Sequence, residues 1–127
     1  MNVDNKRVFV KDSLFNPLSR DRNIYFVNSP DKGGKLYKVW IYLEGEGLSF
    51  VDNVIYKLHP TFQDRERKVT RSISNPNCSL VIWTWGLFTI EVTINFQTGE
   101  TLRTKHYTKY DNDLGNDSNY REQKSFV

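Results

Sequence analysis

The chain of 127 residues contains no alanine. Alanine is the residue that most favours helix formation, and helical domains rely on it. The chain is instead rich in valine, isoleucine and threonine, and 14% of its residues are aromatic. Such β-branched and aromatic side chains suit the pleated, half-buried surface of a sheet. The composition therefore predicts an all-β protein, and the length fits one domain.

Three segments alternate between apolar and polar side chains, which is the period of a strand with one buried face. The residues predicted to face the core are Val39, Ile41, Val54, Tyr56, Leu58, Phe88, Ile90, Val92, Ile94 and Phe96. Shorter strands are predicted at 7–11, 23–27 and 101–107, and residues 69–73 could be strand or loop. Seven or so short strands with turns between them and no helical pattern predict an immunoglobulin-like β-sandwich.

The sequence offers little for metal or redox chemistry. Cys78 is the single cysteine, so an internal disulfide and a multi-cysteine zinc site are excluded. His59 and His106 are the two histidines, and no cofactor is predicted. No apolar run approaches the roughly 20 residues that a membrane span requires, and the N-terminus lacks the apolar core of a secretory signal. We therefore predict a cytoplasmic protein without a membrane partner.

The charged residues indicate neither catalysis nor nucleic-acid binding. The net charge of +3 is mild. Asp64, Glu66 and Glu91 are interpreted as solvated charges, and Cys78 as a small apolar residue. The basic stretch 65–71 is predicted to be exposed, so that single charges there contribute little to stability. The protein is predicted not to be an enzyme and not to bind nucleic acid.

The chain divides into three parts by composition. Residues 1–35 are predicted to supply N-terminal strands and a loop that pack on the sandwich, and residues 36–110 to form its core. Residues 111–127 are rich in aspartate, asparagine and serine, and we expect a mobile polar tail. The sequence carries no indication of the oligomeric state.

Two segments combine aromatic side chains with residues that form loops. They are Leu58–Phe62 and Trp83–Phe88. Phe62 and Trp85 break the alternation of their neighbours, so the period of two does not place them in the core. One interpretation is that the aromatic residues plug one end of the sandwich. The other is that they line a slot between loops, because binding residues often lie on loops held by a rigid scaffold.

In these two segments the sequence resembles the YEATS domain family, whose members are immunoglobulin-like readers of acylated lysine. The stretch Tyr37–Leu43 is similar to an early strand of the family, and Val54–His59 to its stretch that ends in Leu-His. Thr61 and Phe62 match the Ser/Thr-Phe pair that follows, and Trp85–Phe88 matches the aromatic-Gly-any-Phe signature. The resemblance covers residues 36–110 and is closest to the prokaryotic branch of the family.

The resemblance implies a non-catalytic module that binds acetyl- or crotonyl-type lysine of a peptide or protein. The implied site residues are His59, Thr61, Phe62, Thr84, Trp85, Gly86 and Phe88. Thr84 stands where many members of the family have glycine. The alternative is a protein-interaction or sensor module of a prokaryotic signalling or defence system, which keeps the YEATS fold without binding acyl-lysine.

The family's pattern also implies a role for each main residue of the site. Phe62 and Trp85 would be the aromatic walls that stack on the flat acyl amide. Thr61 would meet the amide through its hydroxyl, and the backbone amide of Trp85 would donate to the acyl carbonyl. His59 would shape the wall beside Thr61, and Phe88 would support the slot from beneath.

Overall fold

Nine β-strands and two short 3₁₀ helices form the regular structure of the part of the chain that is described. The computed structural model describes residues 7–29, 31, 34–115 and 117–126. The strands are β1 (Phe9–Ser13), β2 (Asn23–Ser29), β3 (Gly34–Glu44), β4 (Val51–Lys57), β5 (Glu66–Thr70), β6 (Leu80–Thr84), β7 (Thr89–Phe96), β8 (Thr101–Tyr107) and β9 (Asn119–Glu122). The 3₁₀ helices are Glu46–Phe50 and Tyr110–Asp113. Within the described ranges, no helix has the length and apolar character needed to cross a membrane.

The strands form two sheets. Sheet A contains β1, β3, β2 and β9 in that order, with β6 also paired to β3. Its strand β2 is antiparallel to β3 and parallel to β9. Sheet B contains β5, β4, β7 and β8 in that order, and its strands are antiparallel throughout. The all-β class predicted from composition is confirmed.

The described chain groups into two compact units. The first comprises residues 7–11, 42–80 and 88–108 and contains the whole of sheet B. In this sheet Val54 lies opposite Ile94, and Tyr56 lies opposite Val92. All four side chains are buried, because alternate residues of β4 and β7 point to the same face.

The predicted core is confirmed. All ten residues expected to face the core are at most 8% exposed. On the opposite face of β7, Thr89 and Glu91 are exposed. The register of β7 is therefore the one that the alternation predicts, since a slip by one residue would exchange the two faces.

Two close contacts in the first unit connect its strands to neighbouring segments. β3 ends at Glu44, and the next residue, Gly45, has a φ of 124°, in the region that favours glycine. A Cβ at Gly45 would lie 2.0 Å from the Arg7 carbonyl oxygen. The Tyr56 hydroxyl donates to the Cys78 carbonyl at 2.8 Å, within the buried interior. These contacts anchor the loop residues to the strands.

The stretch 65–71 contains strand β5, and the prediction that it is exposed throughout is wrong. Alternate residues of the stretch are half-buried. Arg67 donates through its guanidinium to the Gln63 carbonyl at 2.9 Å, and Arg71 donates to the Pro76 carbonyl at 2.9 Å. We therefore expect these arginines to contribute more to stability than solvated charges would.

The second unit comprises residues 12–41, 81–87 and 109–126 of the described chain. Its buried apolar residues are Leu14, Ile24, Val27, Leu36, Val39, Trp40, Ile41, Ile82 and Tyr110. The Asp113 carboxylate accepts hydrogen bonds from the Ser13 hydroxyl and the Leu14 amide, both at 2.9 Å. This carboxylate therefore ties the end of β1 to the 3₁₀ helix at residues 110–113.

The predicted polar tail contains regular structure. β9 lies within it, and its backbone pairs with β2 over four residues, from Asn23 opposite Asn119 to Phe26 opposite Glu122. No strand is expected there from the sequence, so this part of the secondary-structure prediction is wrong. The mobility of 111–127 and the packing of 1–35 on the sandwich remain predictions. Residues 1–6, 30, 32–33, 116 and 127 lie outside the described residues.

Candidate functional site

The loop between β4 and β5 is closed by Leu58 and Arg65. The Leu58 amide donates to the Arg65 carbonyl at 2.9 Å, and Nε of Arg65 donates to the Leu58 carbonyl at 2.7 Å. Inside the loop, the Phe62 amide donates to the His59 carbonyl at 3.0 Å. This bond closes a β-turn with Pro60 at its second position, where the fixed φ of proline is favoured. The loop thus contains a turn of fixed geometry.

The side chain of Thr61 is held by the imidazole of His59. Nδ1 of His59 accepts the Thr61 amide at 3.2 Å and lies 2.8 Å from Oγ1 of Thr61. These contacts fit the tautomer of His59 that is protonated at Nε2, and in that tautomer the Thr61 hydroxyl donates to Nδ1. The lone pairs of Oγ1 then remain as acceptors. Both residues are exposed, so a ligand can reach this oxygen.

Phe88 lies beneath the same loop. Its ring centroid is 5.3 Å from that of Phe62 and 6.2 Å from that of His59, with interplanar angles of 43° and 71°. These are the tilted and edge-on arrangements that aromatic pairs prefer. The Phe88 backbone is fixed by Thr108, whose hydroxyl accepts its amide and whose amide donates to its carbonyl, both at 3.0 Å. The first unit thus brings together four predicted site residues: His59, Thr61, Phe62 and Phe88.

The other three predicted residues, Thr84, Trp85 and Gly86, lie in the second unit. Thr84 is the last residue of β6 and is buried, whereas the Trp85 side chain is 66% exposed. The Gly86 carbonyl accepts the Tyr110 hydroxyl at 2.9 Å. Tyr110 is itself buried, and burial raises its pKa to about 12, so the phenol keeps its proton at neutral pH. The exposed indole of Trp85 is therefore adjacent in the chain to Gly86, whose backbone is held by Tyr110.

Trp83 does not belong to the loop with Trp85. β6 runs to Thr84, so Trp83 and Thr84 lie in a strand and the loop-forming part of the segment Trp83–Phe88 begins at Trp85. The ring of Trp83 packs edge-on against Phe126, with centroids 5.5 Å apart. Trp83 is thus a residue of sheet A, and Trp85 is the tryptophan of the loop.

Cys78 and three carboxylates have the surroundings that the sequence predicts for a small apolar residue and for solvated charges. Burial raises the pKa of the Cys78 thiol to about 11, and a neutral buried thiol is a poor nucleophile. Asp64, Glu66 and Glu91 are exposed, as predicted for solvated charges. Over the residues that the structure describes, no group of three or more His, Cys, Asp or Glu side chains is placed to hold a metal ion.

Sequence reasoning missed three residues that hold the candidate site in place. They are Arg65, Thr108 and Tyr110, which bond to Leu58, Phe88 and Gly86 respectively. Each bond ends on a backbone atom, and such a contact leaves no pattern in the sequence around either partner. Thr108 directly follows the last predicted strand, at 101–107. Its position at the end of a strand was the one local indication that it could lie near the end of a neighbouring strand.

Solved structures of YEATS domains have a similar fold. The Yaf9 YEATS domain recognising an H3K122suc peptide gives a TM-score of 0.56 at 16% identity, covering 84% of this chain and 73% of that chain. The yeast AF-9 homologue Yaf9 gives 0.54 at 18% identity, covering 82% and 71%. The Yaf9 YEATS domain bound to H3K27ac gives 0.51 at 16% identity, covering 80% and 73%. The predicted immunoglobulin-like β-sandwich is confirmed by this likeness.

A curated protein shares a shorter stretch at higher identity. The transcription initiation factor TFIID subunit 14 of Schizosaccharomyces pombe is 40% identical over 68 residues, which is 53% of this chain and 27% of that protein. The chain thus spans about a quarter of the length of this relative.

The model of the prokaryotic YEATS domain family matches residues 36–109. This match extends over more than half of the chain. It includes the loop from His59 to Phe62 and the segment from Trp85 to Phe88, on which the resemblance was based. The chain therefore belongs to the prokaryotic YEATS domain family.

Proposed function

We propose that the protein is a non-catalytic reader of acylated lysine, of the acetyl or crotonyl type. The observation that carries this proposal is the Thr61 hydroxyl, which contacts the His59 imidazole in the same turn that carries Phe62. Membership of the YEATS family supports it, since two of the similar Yaf9 structures have H3K122suc and H3K27ac as their peptides. The proposed partner is accordingly a peptide or protein that carries an acylated lysine.

The chemistry of the ligand matches the groups available in the loop. An acylated lysine presents a flat, uncharged amide with one N–H donor and one carbonyl acceptor. In the proposed complex, Oγ1 of Thr61 accepts a hydrogen bond from the ligand N–H, because the hydroxyl hydrogen is already donated in the hydrogen bond to His59. The ligand carbonyl requires a donor, and we assign the backbone amide of Trp85 to it. A ligand amide without these partners would lose about 1–3 kcal/mol of binding free energy.

The aromatic residues supply the apolar part of the proposed site. Phe62 is tilted on Phe88, which limits the movement of its ring, and we assign the other face of the ring to the ligand. Trp85 is three residues from Phe88 along the chain, so their Cα atoms are at most about 11 Å apart. We assign Phe62 and Trp85 as the two walls, because stacking on a flat amide contributes about 0.5–1.5 kcal/mol for an aromatic pair.

Thr84 and Gly86 set the backbone on either side of Trp85 in this proposal. Thr84 is buried at the end of β6, and the Gly86 carbonyl is held by Tyr110. A wall residue fixed on both sides loses little conformational entropy when the ligand binds. The polar groups of the site are a hydroxyl, an imidazole and backbone amides that serve to orient a ligand, so the proposed activity is binding without reaction.

A titration of acylated and unmodified peptides tests the proposal. We expect calorimetry to give dissociation constants roughly in the micromolar-to-millimolar range for acetyl- or crotonyl-lysine peptides, because one side chain buries little area. The unmodified peptide should not bind, since its charged ammonium has no acyl carbonyl and must be desolvated. Equal response to modified and unmodified peptides would contradict the proposal.

Two pairs of variants locate the binding. Thr61→Val should weaken binding at least about fivefold, whereas Thr61→Ser keeps the hydroxyl and should bind nearly as well. Trp85→Ala should abolish binding and leave the thermal unfolding curve nearly unchanged, because the side chain is 66% exposed. Ile73→Ala is the control, since Ile73 is an exposed apolar residue of a different loop. Loss of binding in both alanine variants would mean that the effect is not specific to the site.

The exposure of Trp85 favours a second candidate function. Trp85 and Leu87 are both exposed apolar residues, and tryptophan is common among the residues that dominate protein interfaces. The protein would then be an interaction or sensor module of a prokaryotic signalling or defence system. A failure of every acyl-lysine peptide to bind at millimolar concentration, in a folded protein, would favour this function over the first.

A further inference from the structure

A cluster of aromatic rings on sheet A surrounds the ammonium group of Lys38. Nζ of Lys38 lies 5.7 Å from the ring centroid of Tyr25, 5.2 Å from that of Trp40 and 5.9 Å from that of Trp83. Each distance is within the roughly 6 Å over which a cation is attracted to the face of an aromatic ring. The three rings come from three different strands: β2, β3 and β6. We refer to Tyr25, Trp40 and Trp83 as the aromatic cage.

The rings of the cage are held by contacts that do not involve Lys38. The Tyr25 hydroxyl donates to the Asp21 carboxylate, and the Asn23 amide donates to the same carboxylate at 2.8 Å. The ring of Trp83 packs edge-on against Phe126, with an interplanar angle of 70°. These contacts would keep Tyr25 and Trp83 in place if the lysine side chain moved away.

The cage also has a negative group at its edge. The hydrogen bond from Tyr25 is the largest factor that lowers the pKa of Asp21, so this carboxylate is charged at neutral pH. The same bond raises the pKa of Tyr25, which stays neutral. A charged carboxylate bonded to one ring of the cage favours a positively charged occupant over a neutral one.

We propose that the aromatic cage is a binding site for an alkylated ammonium group and that Lys38 is its built-in competitor. The geometry already accommodates one ammonium group among the three rings. A lysine ammonium is compact and strongly hydrated, so it gains little when it leaves water. A trimethylammonium group carries its charge on methyl groups that contact ring faces directly, which is the way in which aromatic cages recognise quaternary ammonium ligands.

Competition with Lys38 has a measurable consequence. The cage is open only in the fraction of molecules in which the lysine side chain has moved out, and the apparent affinity of a ligand falls by that fraction. Lys38 is on a flexible four-carbon stem, so its exit requires only rotation of the side chain. If the cage is open in less than about a tenth of the molecules, removal of the ammonium group should raise ligand affinity at least about tenfold.

The ligand group could come from a small molecule or from a methylated lysine in a peptide. Both present the same trimethylammonium chemistry to the rings. Separate titrations with choline and with a trimethyl-lysine peptide distinguish the two sources. Stronger binding of the peptide would assign the cage to a protein partner, and stronger binding of choline would assign it to a small molecule.

The test is an NMR titration with tetramethylammonium chloride, with sodium chloride of equal ionic strength as the reference. We expect shifts of the indole N–H signals of Trp40 and Trp83, while the backbone amide signals of β8, which is part of sheet B, serve as the internal control. Lys38→Met keeps the apolar stem without the charge and should bind at least tenfold more tightly than the native chain. Lys38→Arg keeps a cation over the rings and should bind no more tightly. Tyr25→Leu, combined with Lys38→Met, should lose the gain.

Three results would overturn the proposal. The first is a folded Lys38→Met variant whose Trp40 and Trp83 signals do not respond to tetramethylammonium. The second is equal response to choline and to dimethylbutanol, its uncharged analogue, because the cage would then be an apolar patch without selectivity for cations. The third is a gain in affinity for Lys38→Arg as large as that for Lys38→Met. None of these outcomes depends on whether the protein binds acyl-lysine.

Discussion

The Tyr56 hydroxyl gives a stability prediction whose size follows from one buried hydrogen bond. The side chain is fully buried, and its hydroxyl donates to the Cys78 carbonyl at 2.8 Å. Tyr56→Phe removes the donor and keeps the ring, so the cavity term is small. The Cys78 carbonyl loses this partner in an interior position, and a buried acceptor left without its donor costs about 1–3 kcal/mol. We predict a loss of about 2 kcal/mol in the free energy of unfolding.

Urea denaturation followed by tryptophan fluorescence measures this loss. The midpoint should fall while the m-value stays the same, because the surface exposed on unfolding does not change. For a chain of this size the Tm should fall by about 8 °C. Tyr107→Phe is the matched control, since Tyr107 is 55% exposed, and it should change stability by less than about 0.5 kcal/mol. A similarly small loss for Tyr56→Phe would refute the reasoning, because the carbonyl would then have another donor.

Two further predictions concern alkaline pH and glycine. Burial raises the pKa of Cys78 to about 11 and that of Tyr110 to about 12, so the folded chain retains protons that the unfolded chain releases from about pH 9 upward. These groups should stabilise the fold fully below about pH 8 and progressively less up to about pH 12. In urea denaturation repeated across this pH range, the free energy of unfolding of Tyr110→Phe should fall less steeply near the alkaline end than that of the native chain. Gly45→Ala should prevent folding or cost several kcal/mol by thermal unfolding, because its Cβ would lie 2.0 Å from a backbone oxygen. Gly99→Ala, with nothing within 4 Å, should cost only about 1–2 kcal/mol for its φ of 92°, and equal losses at the two positions would contradict this.

The strands that the sequence predicted well are those with one buried face. β7 alternates without interruption, and burial of every second residue is the physical cause of that pattern. β9 could not be predicted in the same way. All four of its side chains are exposed, and it is joined to β2 by backbone pairing and by the exposed side-chain contacts Asn28–Glu122 and Asn23–Arg121. None of these contacts requires a buried face, so they leave no alternating apolar pattern in the sequence.

β6 and Trp40 show a different limit of sequence reasoning. The segment Leu80–Thr84 is almost continuously apolar and has no alternation, so it could not be separated from the loop that follows it. Trp40 lies on the polar face of its alternating strand but is only 6% exposed. The ammonium group of Lys38 lies over the Trp40 ring and contributes to the burial of this side chain. A contact of this kind cannot be deduced from the periodicity of the sequence.

For the candidate site, the sequence indicated the residue types and the structure supplied their connections. Thr61 and Phe62 were selected by their resemblance to a family motif. The bond between Thr61 and His59 and the contact between Phe62 and Phe88 depend on the turn geometry and on the register of β7. The direction of the Thr61 hydroxyl follows from these contacts together with the tautomer of His59, and residue types alone could not give it.

The measurement that most directly tests the proposed function is a set of intermolecular NOEs from the methyl group of an isotope-labelled acetyl-lysine peptide. We predict NOEs from this methyl group to ring protons of both Phe62 and Trp85, with no such signals for the unmodified peptide. NOEs to neither ring in a sample that binds the peptide, or NOEs to other residues alone, would contradict the assignment of Phe62 and Trp85 as the walls of an acyl-lysine site.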